Sequence, residues 1–343
     1  MSVSPLKLGK MRGLLRLSDA AGHFTTVALD QRPLLAQMLA VPLGIAPSQV
    51  RFEDMVAVKR LLIQTLGPHA SAMLLDPNYA LPALASLPAH TGLMVALEDH
   101  RFRDTPGGRL SHSIPDWSVE KIKRAGGDGV KVLVWYRPDA SAEVRAHQQA
   151  YVRQVGQACR QHDIAYVLEL LTYPLQGPAD TTPLQPGAQH VIESLHEFAK
   201  PEYGVDLFKL ESPLPAARLP APEGSQAHQD AQVWFNEIGQ ICRLAQVPWV
   251  MLSAGVTPSQ FLRVMHYAYA AGAHGFLAGR AIWASAVQHF PDLPACREAL
   301  RTESLQTLQS LIDLTRQSAC AWTPDYSGFD RLRAEGDLCA AYA

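Results

Sequence analysis

The chain has 343 residues, a formal net charge of −2 and 48% hydrophobic residues. A charge so close to neutral gives no electrostatic basis for binding nucleic acid or an anionic membrane, so neither is an expected partner. The five cysteines are odd in number and form no CxxC pair, and no apolar segment follows the basic residues near the N-terminus. These features favour a cytoplasmic protein with reduced thiols over a secreted, disulfide-bonded one.

Eight short apolar runs recur along the chain and predict eight β-strands. They cover residues 25–31, 71–77, 92–98, 129–136, 165–173, 206–213, 248–255 and 274–280. Segments with helical spacing lie between them, over residues 52–66, 118–125, 141–162, 187–198, 228–245 and 258–271. Alternating strands and helices indicate a parallel sheet, and eight such strands close a barrel. We therefore expect an α/β fold with a single (β/α)8 TIM barrel.

The barrel is expected to form one domain with the rest of the chain, over residues 1–343. It should occupy about residues 13–290, followed over 291–343 by an appended helix and a tail. Apolar residues recur at helical spacing within 293–317, which predicts the C-terminal helix, whereas the tail from Trp322 has no periodicity and is expected to be irregular. The proline-rich segment 213–226 predicts a long loop over the active site.

Lys209 is the most informative residue because it interrupts the apolar run of the sixth predicted strand. Burial removes the hydration of an ammonium group, and the neutral amine that burial favours is a nucleophile. Because side chains alternate along a strand, Glu211 should share a face with Lys209 and support it. A structural lysine–glutamate ion pair without any chemistry is the alternative interpretation.

Polar side chains mark the ends of nearly all the predicted strands, where TIM barrels build their active sites. In chain order they are Asp30, Asp76, Glu98, Lys131, Glu169, Lys209, Glu211, Ser253 and Arg280. Lys131 lies in an apolar run two strands before that of Lys209, and a second cation nearby favours the neutral, nucleophilic amine. Glu169, on the strand between them, could supply the acid and base that imine formation and hydrolysis require.

The last two predicted strands end in glycine turns that open helices, at Gly255 and Gly279. Backbone amides at such turns bind anions, and the loops after strands seven and eight commonly hold a phosphate in this fold. The Ser253 hydroxyl and the Arg280 guanidinium are suitable donors beside those amides. Ordinary turns with a salt-bridging arginine are the alternative.

A metal site is the rival to imine chemistry at these residues. The thirteen histidines form no HxH or HExxH motif. Asp99, His100 and His112 could form a partial ligand set, although scattered surface histidines explain the same pattern. We therefore predict neither a metal nor any other cofactor.

Seven segments, in order, carry a resemblance to a known family. They are ALDQR (28–32), LLDP (74–77), VKVL (130–133), LELLTY (168–173), FKLE (208–211), LSAGV (252–256) and AGRAIW (278–283). In these the chain resembles the tagatose 1,6-bisphosphate aldolases, which are metal-independent class I barrel aldolases. The likeness runs from about residue 13 to about residue 318. Residues 248–253 and 275–280 are also similar to the related sulfofructose 1-phosphate aldolases.

The resemblance implies a role for each site residue. Lys209 would form an imine with the C2 ketone of the sugar, and Glu169 would be the acid and base. Lys131 would bind substrate beside them, and Asp30 would lie at the C4 hydroxyl, which must lose a proton. The 1-phosphate would be bound by Ser253, Gly255, Gly279 and Arg280. The far end of the sugar would be reached by Gln31 and Arg32.

The implied reaction is cleavage of tagatose 1,6-bisphosphate, and also of fructose 1,6-bisphosphate, to dihydroxyacetone phosphate and glyceraldehyde 3-phosphate. One alternative is a sulfofructose 1-phosphate aldolase or another dihydroxyacetone-phosphate aldolase, because these families differ in the distal group of the substrate. A phosphosugar-binding barrel without turnover is the alternative from a different class. The expected partner is a small phosphosugar, and a homo-oligomer is compatible with the sequence.

Overall fold

The eight predicted strands form a closed parallel barrel in a computed structural model that describes residues 7–175, 187–324 and 332–342. The strands are β1 (Phe24–Leu29), β2 (Ala72–Leu75), β3 (Gly92–Ala96), β4 (Arg103–Thr105), β5 (Gly108–Leu110), β6 (Gly129–Trp135), β7 (Ala165–Leu171), β8 (Leu207–Leu210), β9 (Trp249–Leu252) and β10 (Gly275–Ala278). Barrel strands pair with their neighbours in chain order, and β1 pairs with both β2 and β10. The predicted TIM barrel is therefore confirmed. Of the strands in the described residues, β4 and β5 alone lie outside it, as an antiparallel hairpin between β3 and β6.

Helices surround the barrel and follow most of its strands. They are α1 (Leu8–Leu17), α2 (Pro33–Leu43), α3 (Phe52–Leu66), α4 (Val119–Arg124), α5 (Ala142–Gln161), α6 (Ala188–Phe198), α7 (Gln226–Ala245), α8 (Pro258–Ala270), α9 (Arg280–Val287), α10 (Leu293–Ala299), α11 (Leu305–Ser318) and α12 (Asp337–Ala341). The six helices predicted between strands lie within two residues of their expected bounds. Four of them start where a hydroxyl accepts a backbone N–H, at Ser118, Ser141, Ser225 and Thr257.

Helix α1 was not predicted, and it closes the amino end of the barrel. A side-chain carbon at Gly9 would lie 2.1 Å from the Asp163 carbonyl oxygen, so the helix backbone packs directly against the loop before β7. Leu14 and Leu17 of α1 are buried in one cluster with residues that fill the barrel interior. Because apolar side chains fill this end, a ligand can enter only from the carboxyl ends of the strands.

The C-terminal region contains the predicted extra helix, as α11, and a π-helical turn at Leu300–Ser304 joins it to α10. The expectation of an irregular tail is wrong for α12, a short helix near the end of the chain. Beyond it, the Tyr342 hydroxyl donates to Asp163 Oδ2 at 2.5 Å, at the amino end of β7. This described part of the tail therefore lies at the end opposite the strand-end polar residues. Across the described ranges, no helix has the length and apolar character needed to cross a membrane.

Candidate active site

A cavity of 520 Å³ opens at the carboxyl ends of the barrel strands, and all of the predicted site residues line it. These are Asp30, Gln31, Arg32, Lys131, Glu169, Lys209, Glu211, Ser253, Gly255, Gly279 and Arg280. They come from six of the eight barrel strands and the turns that follow them. The barrel thus brings together residues as far apart in the chain as Asp30 and Arg280.

Lys131 lies at the centre of the cavity floor and is fully buried. Its Nζ is 2.8 Å from Asp30 Oδ2, 2.6 Å from Glu98 Oε1 and 2.6 Å from Glu169 Oε2. Burial lowers the pKa of Lys131, but the negative charges of the three carboxylates outweigh burial and hold the pKa well above its ordinary value. Lys131 therefore remains an ammonium ion, which makes it an electrostatic group and not a nucleophile.

Lys209 is the second buried amine that lines the cavity, and it contacts fewer carboxylates than Lys131 does. Its Nζ lies 2.9 Å from Glu169 Oε2, the same oxygen that contacts Lys131. Glu169 and Lys209 are register partners on β7 and β8, so the barrel itself holds them side by side. Within the described part of the chain, this carboxylate is the one ion-pair partner of Lys209. A cavity-facing amine with one adjacent carboxyl group is the arrangement that imine chemistry requires.

Glu211 does not pair with Lys209, which corrects the expected contact on the sixth strand. Its Oε1 accepts hydrogen bonds from the Thr172 amide at 2.6 Å and the Thr172 hydroxyl at 2.9 Å. The physical reason is that β8 ends at Leu210, so strand alternation no longer sets the direction of the next side chain. Burial raises the pKa of Glu211 to about 7 despite these hydrogen bonds. The cavity wall therefore contains a carboxyl group that titrates near neutral pH.

Glu98 belongs to the charged cluster, although it was not among the predicted site residues. It ends the third apolar run as Asp30 ends the first, and this position was the available signal. Burial raises the pKa of Glu98 even though Lys131 opposes the shift. Burial also raises the pKa of Asp30, but the charges of Lys131 and Lys209 outweigh it and the pKa lies below its ordinary value. The two pKa values are therefore shifted in opposite directions, and Asp30 is the more acidic of the two groups.

The turn after β9 has a backbone shaped for close approach of an anion. Ala254 and Gly255 have φ angles of 49° and 78°, in the left-handed region. A side-chain carbon at Gly255 would lie 2.6 Å from Arg280 Cζ, so the guanidinium rests against the glycine. Ser253 is buried beside them and lines the same cavity. The geometry therefore places a hydroxyl, a glycine turn and a guanidinium together, as a phosphate site requires.

Replacing Gly255 with alanine is expected to displace Arg280 and raise the KM for a phosphorylated substrate about tenfold or more, because a charged hydrogen bond to phosphate is lost. Gly224→Ala is the matched control, since Gly224 also has a φ angle of 78° but no atom within 4 Å of the added carbon. Steady-state kinetics of both variants check this. A KM for Gly255→Ala equal to that of Gly224→Ala would mean that the Gly255 turn and Arg280 do not bind the phosphate.

The side chains of Gln31 and Arg32 lie at different sides of the cavity. Arg32 donates to Asn78 Oδ1 at 3.3 Å and to the Glu98 carbonyl oxygen at 2.9 Å. A side-chain carbon at Gly279 would lie 2.9 Å from Gln31 Nε2, so Gln31 packs against the turn before α9. Gln31 therefore lies on the side of the expected 1-phosphate and Arg32 on the other side. That both residues reach the far end of a sugar stays a prediction.

The loop after β3 borders the cavity through Asp99, His100, Phe102 and Ser111, and it carries the β4–β5 hairpin, no residue of which lines the cavity itself. We call residues 103–110 the roof hairpin. Its Arg109 guanidinium lies over three aromatic rings, 4.2 Å from the centroid of Phe102, 4.6 Å from Trp135 and 4.8 Å from Tyr173. Gln148 of α5 donates to the Arg109 carbonyl at 3.0 Å. Phe102 and Trp135 also line the cavity, so this cluster closes one side of it.

The proline-rich loop at 213–226 does not cover the cavity, contrary to expectation. The Arg263 guanidinium donates to the Leu219 carbonyl at 2.9 Å, and the Tyr267 hydroxyl donates to the Pro220 carbonyl at 3.0 Å. Both donors lie on α8, so the loop folds against this helix and its own carbonyl groups are satisfied there. Among the residues lining the cavity, none comes from this loop.

The partial metal site considered from the sequence is not assembled. Both Asp99 carboxylate oxygens accept hydrogen bonds from Arg101, and the His112 ring is exposed and next to the Ser113 carbonyl. In residues 7–175, 187–324 and 332–342, no group of three or more histidine, cysteine or acidic side chains has the geometry to hold a metal ion.

The fold and the buried lysines define a class of barrel lyase, the aldolases, and comparison with known proteins agrees. Residues 24–285 match the model of the DeoC/LacD family aldolases. The chain belongs to this aldolase family and is therefore a lyase.

Two relatives illustrate the likeness. The tagatose 1,6-diphosphate aldolase of Listeria monocytogenes serotype 4a (strain HCC23) is 34% identical over 333 residues, which cover 94% of this chain and 96% of the relative. The tagatose 1,6-diphosphate aldolase 2 of Enterococcus faecalis (strain ATCC 700802 / V583) is 33% identical over 327 residues, covering 92% and 96%. Both alignments span nearly the whole of each protein.

Solved structures agree in fold. A fructose-bisphosphate aldolase from Plasmodium falciparum superposes with a TM-score of 0.65 at 14% identity, covering 94% of this chain and all of that one. A Schiff-base-forming fructose-1,6-bisphosphate aldolase superposes with a TM-score of 0.54 at 15% identity, covering 89% and 99%. At these identities the superpositions establish the barrel architecture alone.

Proposed function

We propose that the enzyme is a class I aldolase that cleaves tagatose 1,6-bisphosphate into dihydroxyacetone phosphate and glyceraldehyde 3-phosphate. The observation that carries the proposal is the Lys209 amine at 2.9 Å from Glu169, beside the permanent cation Lys131. Identity of 34% to a tagatose 1,6-diphosphate aldolase across 94% of the chain supports this substrate over a sulfosugar. Fructose 1,6-bisphosphate differs only at C4 and is proposed as a second substrate.

Imine formation begins with a proton transfer inside the buried cluster. A proton moves from the Lys209 ammonium to Glu169, which gives a neutral amine and a carboxylic acid without changing the net charge of the site. The amine then attacks the C2 carbonyl carbon, and Glu169 exchanges protons to leave a neutral carbinolamine hydroxyl. That hydroxyl leaves as water with the proton of Glu169, and the nitrogen lone pair forms the C2=N double bond of an iminium ion.

Carbon–carbon cleavage follows at the other side of Lys131. Asp30 takes the proton of the C4 hydroxyl, the C4–O electrons form the aldehyde, and the C3–C4 bond electrons form an enamine as the iminium nitrogen becomes neutral. Lys131 assists because its charge keeps Asp30 ionised and ready to accept a proton. After the aldehyde leaves, the proton that Asp30 took is returned to C3, which restores the iminium ion and the Asp30 carboxylate. Water then attacks C2 as Glu169 reverses its earlier proton transfers, which releases dihydroxyacetone phosphate and restores Lys209.

The remaining residues recognise the two ends of the substrate. Ser253, Gly255, Gly279 and Arg280 are proposed to bind the 1-phosphate, because the turns there present donors on one side of the cavity. Arg32, at the other side, is proposed to bind the distal phosphate. We also propose a cytoplasmic location, since all five cysteines are free and three of them are buried as thiols.

Borohydride reduction with dihydroxyacetone phosphate tests the proposed chemistry. We expect a stable covalent adduct, located on Lys209 by peptide mapping, and cleavage of both bisphosphates that EDTA does not inhibit. Binding of dihydroxyacetone phosphate without an adduct would instead identify a phosphosugar-binding barrel. Faster cleavage of sulfofructose 1-phosphate than of either bisphosphate would reassign the substrate.

A further inference from the structure

A second buried ion pair lies behind the cavity, outside the charged cluster described above. It joins Lys59 of α3 to Asp76, the residue that follows β2, and their side chains are in direct contact. Lys59 is 1% exposed and Asp76 is fully buried. Neither residue lines the cavity, so neither is placed to touch a substrate.

Lys59 is attached to the end of β1 as well as to Asp76. Its Nζ donates to the Leu29 carbonyl at 2.6 Å. Leu29 immediately precedes Asp30, so this hydrogen bond fixes the backbone that carries the carboxylate proposed to act at C4. Burial raises the pKa of Asp30, and the charges of Lys131 and Lys209 lower it. The charge of Lys59 also lowers this pKa, by a smaller effect.

Asp76 fixes the turn after β2, the strand next to β1 in the barrel. Its Oδ1 accepts the backbone N–H groups of Asn78 at 2.9 Å and Tyr79 at 2.8 Å, which fixes the turn after β2. Asn78 Oδ1 in turn accepts a hydrogen bond from Arg32. The ion pair is therefore connected to Asp30 through Lys59, and to Arg32 through Asp76 and Asn78.

Stability alone gives a weak reason for such a pair. Removing two charges from water costs about as much as their attraction returns, and apolar replacements of similar volume are often neutral or stabilising. We propose that Lys59 and Asp76 are positioning residues that set the separation between Asp30 and Arg32, and so couple proton removal at C4 to recognition of the distal phosphate. The roles of Asp30 and Arg32 in this inference rest on the proposed function.

The test compares Lys59→Met with Lys10→Met. Lys10 is a matched control because it is also buried, at 3% exposure, and its Nζ lies 2.6 Å from Asp206 Oδ2 at the amino end of the barrel. Both variants should lower the melting temperature. We expect only Lys59→Met to lower kcat/KM for tagatose 1,6-bisphosphate, by about 10²-fold, because a small displacement of reacting groups has that cost.

The substrate dependence separates positioning from general destabilisation. With the corresponding 1-phosphate, which lacks the distal group, Lys59→Met should reduce kcat through Asp30, whereas with the bisphosphate it should also raise KM through Arg32. If Lys59→Met fails to fold, the double variants Lys59→Met/Asp76→Asn and Lys10→Met/Asp206→Asn replace the single ones. Each removes both charges and keeps a side-chain oxygen that accepts the backbone N–H groups. Equal kinetic losses in the matched variants would overturn the inference.

A crystal structure of the Lys59 variant gives a second measurement that is independent of catalysis. The inference predicts that the Asp30–Lys131 and Arg32–Asn78 contacts lengthen. Unchanged contacts would overturn it. If the wild-type enzyme cleaves none of the sugar phosphates, the proposed function fails, and this structure still decides whether the ion pair positions the two groups.

Discussion

Lys209→Met should abolish aldol cleavage, with kcat lowered on the order of 10⁴-fold or more, as for the loss of other covalent nucleophiles. Methionine matches the length of the lysine chain, so the buried site stays filled while the amine is lost. Reduction with borohydride in the presence of dihydroxyacetone phosphate should then give no mass increase. Steady-state kinetics and intact-protein mass spectrometry check both parts.

Lys209→Arg is the control for this substitution. It keeps a positive charge beside Glu169, but a guanidinium does not form an imine, so it should be as inactive as the methionine variant. Substantial activity in the arginine variant would show that charge, and not a covalent bond, is the contribution of this residue. An adduct that maps to Lys131 in the wild-type enzyme would contradict the assignment of the nucleophile directly.

Lys131→Met should reduce both activity and stability, because it removes the cation shared by three buried carboxylates. Leaving such charges without their partner typically costs about 3–5 kcal/mol of unfolding free energy. Asp30 and Glu98 lose their ion-pair partner, so Asp30 becomes protonated and no longer serves as a base. Cleavage should fall about 10²- to 10⁴-fold, which is the usual contribution of a positioned acid or base.

The stability loss in this variant should depend on pH with a defined sign. Without Lys131, the folded-state pKa of Asp30 rises above its unfolded value and that of Glu98, which burial already raises, rises further. The folded protein then binds more protons than the unfolded one, and stability is lost as pH rises. Denaturant unfolding should therefore show a smaller loss at about pH 5 than at about pH 8. Adding Glu98→Gln removes one buried charge and should recover part of the stability but no activity. The same loss at both pH values would contradict the shared-cation arrangement.

The barrel could be predicted because each of its strands is a short apolar run whose side chains are all or nearly all buried. Residues in β2 and β9 have no exposed position, and helical spacing between the runs marks the α3 to α8 segments. The key amine could be predicted for a related reason, since a charge at Lys209 is costly in such a run. Every predicted site residue lines the cavity because parallel strands end at the same rim.

Features held by distant contacts could not be predicted in this way. Helix α1 is fixed by Asp163, 154 residues away, whose carboxylate accepts a hydrogen bond from the Gly9 N–H. The glycines of α1 also weaken any helical signal in the local sequence. The two strands of the roof hairpin have three residues each, too few to show a period. The contacts of Arg32 with Asn78 and of Glu98 with Lys131 depend on neighbours that only the closed barrel provides.

The roof hairpin is anchored by side chains other than the groups that make and break bonds. Arg109 is fixed by aromatic rings and by Gln148, whereas the charged cluster is built on the strands around Lys131. Substitutions in the hairpin therefore act on the cavity first through Phe102 and Trp135, which line it, and not through the proton-transfer groups. In evolutionary terms, the range of accepted sugars can drift through one small surface element, while the reaction itself stays constant in the barrel below it.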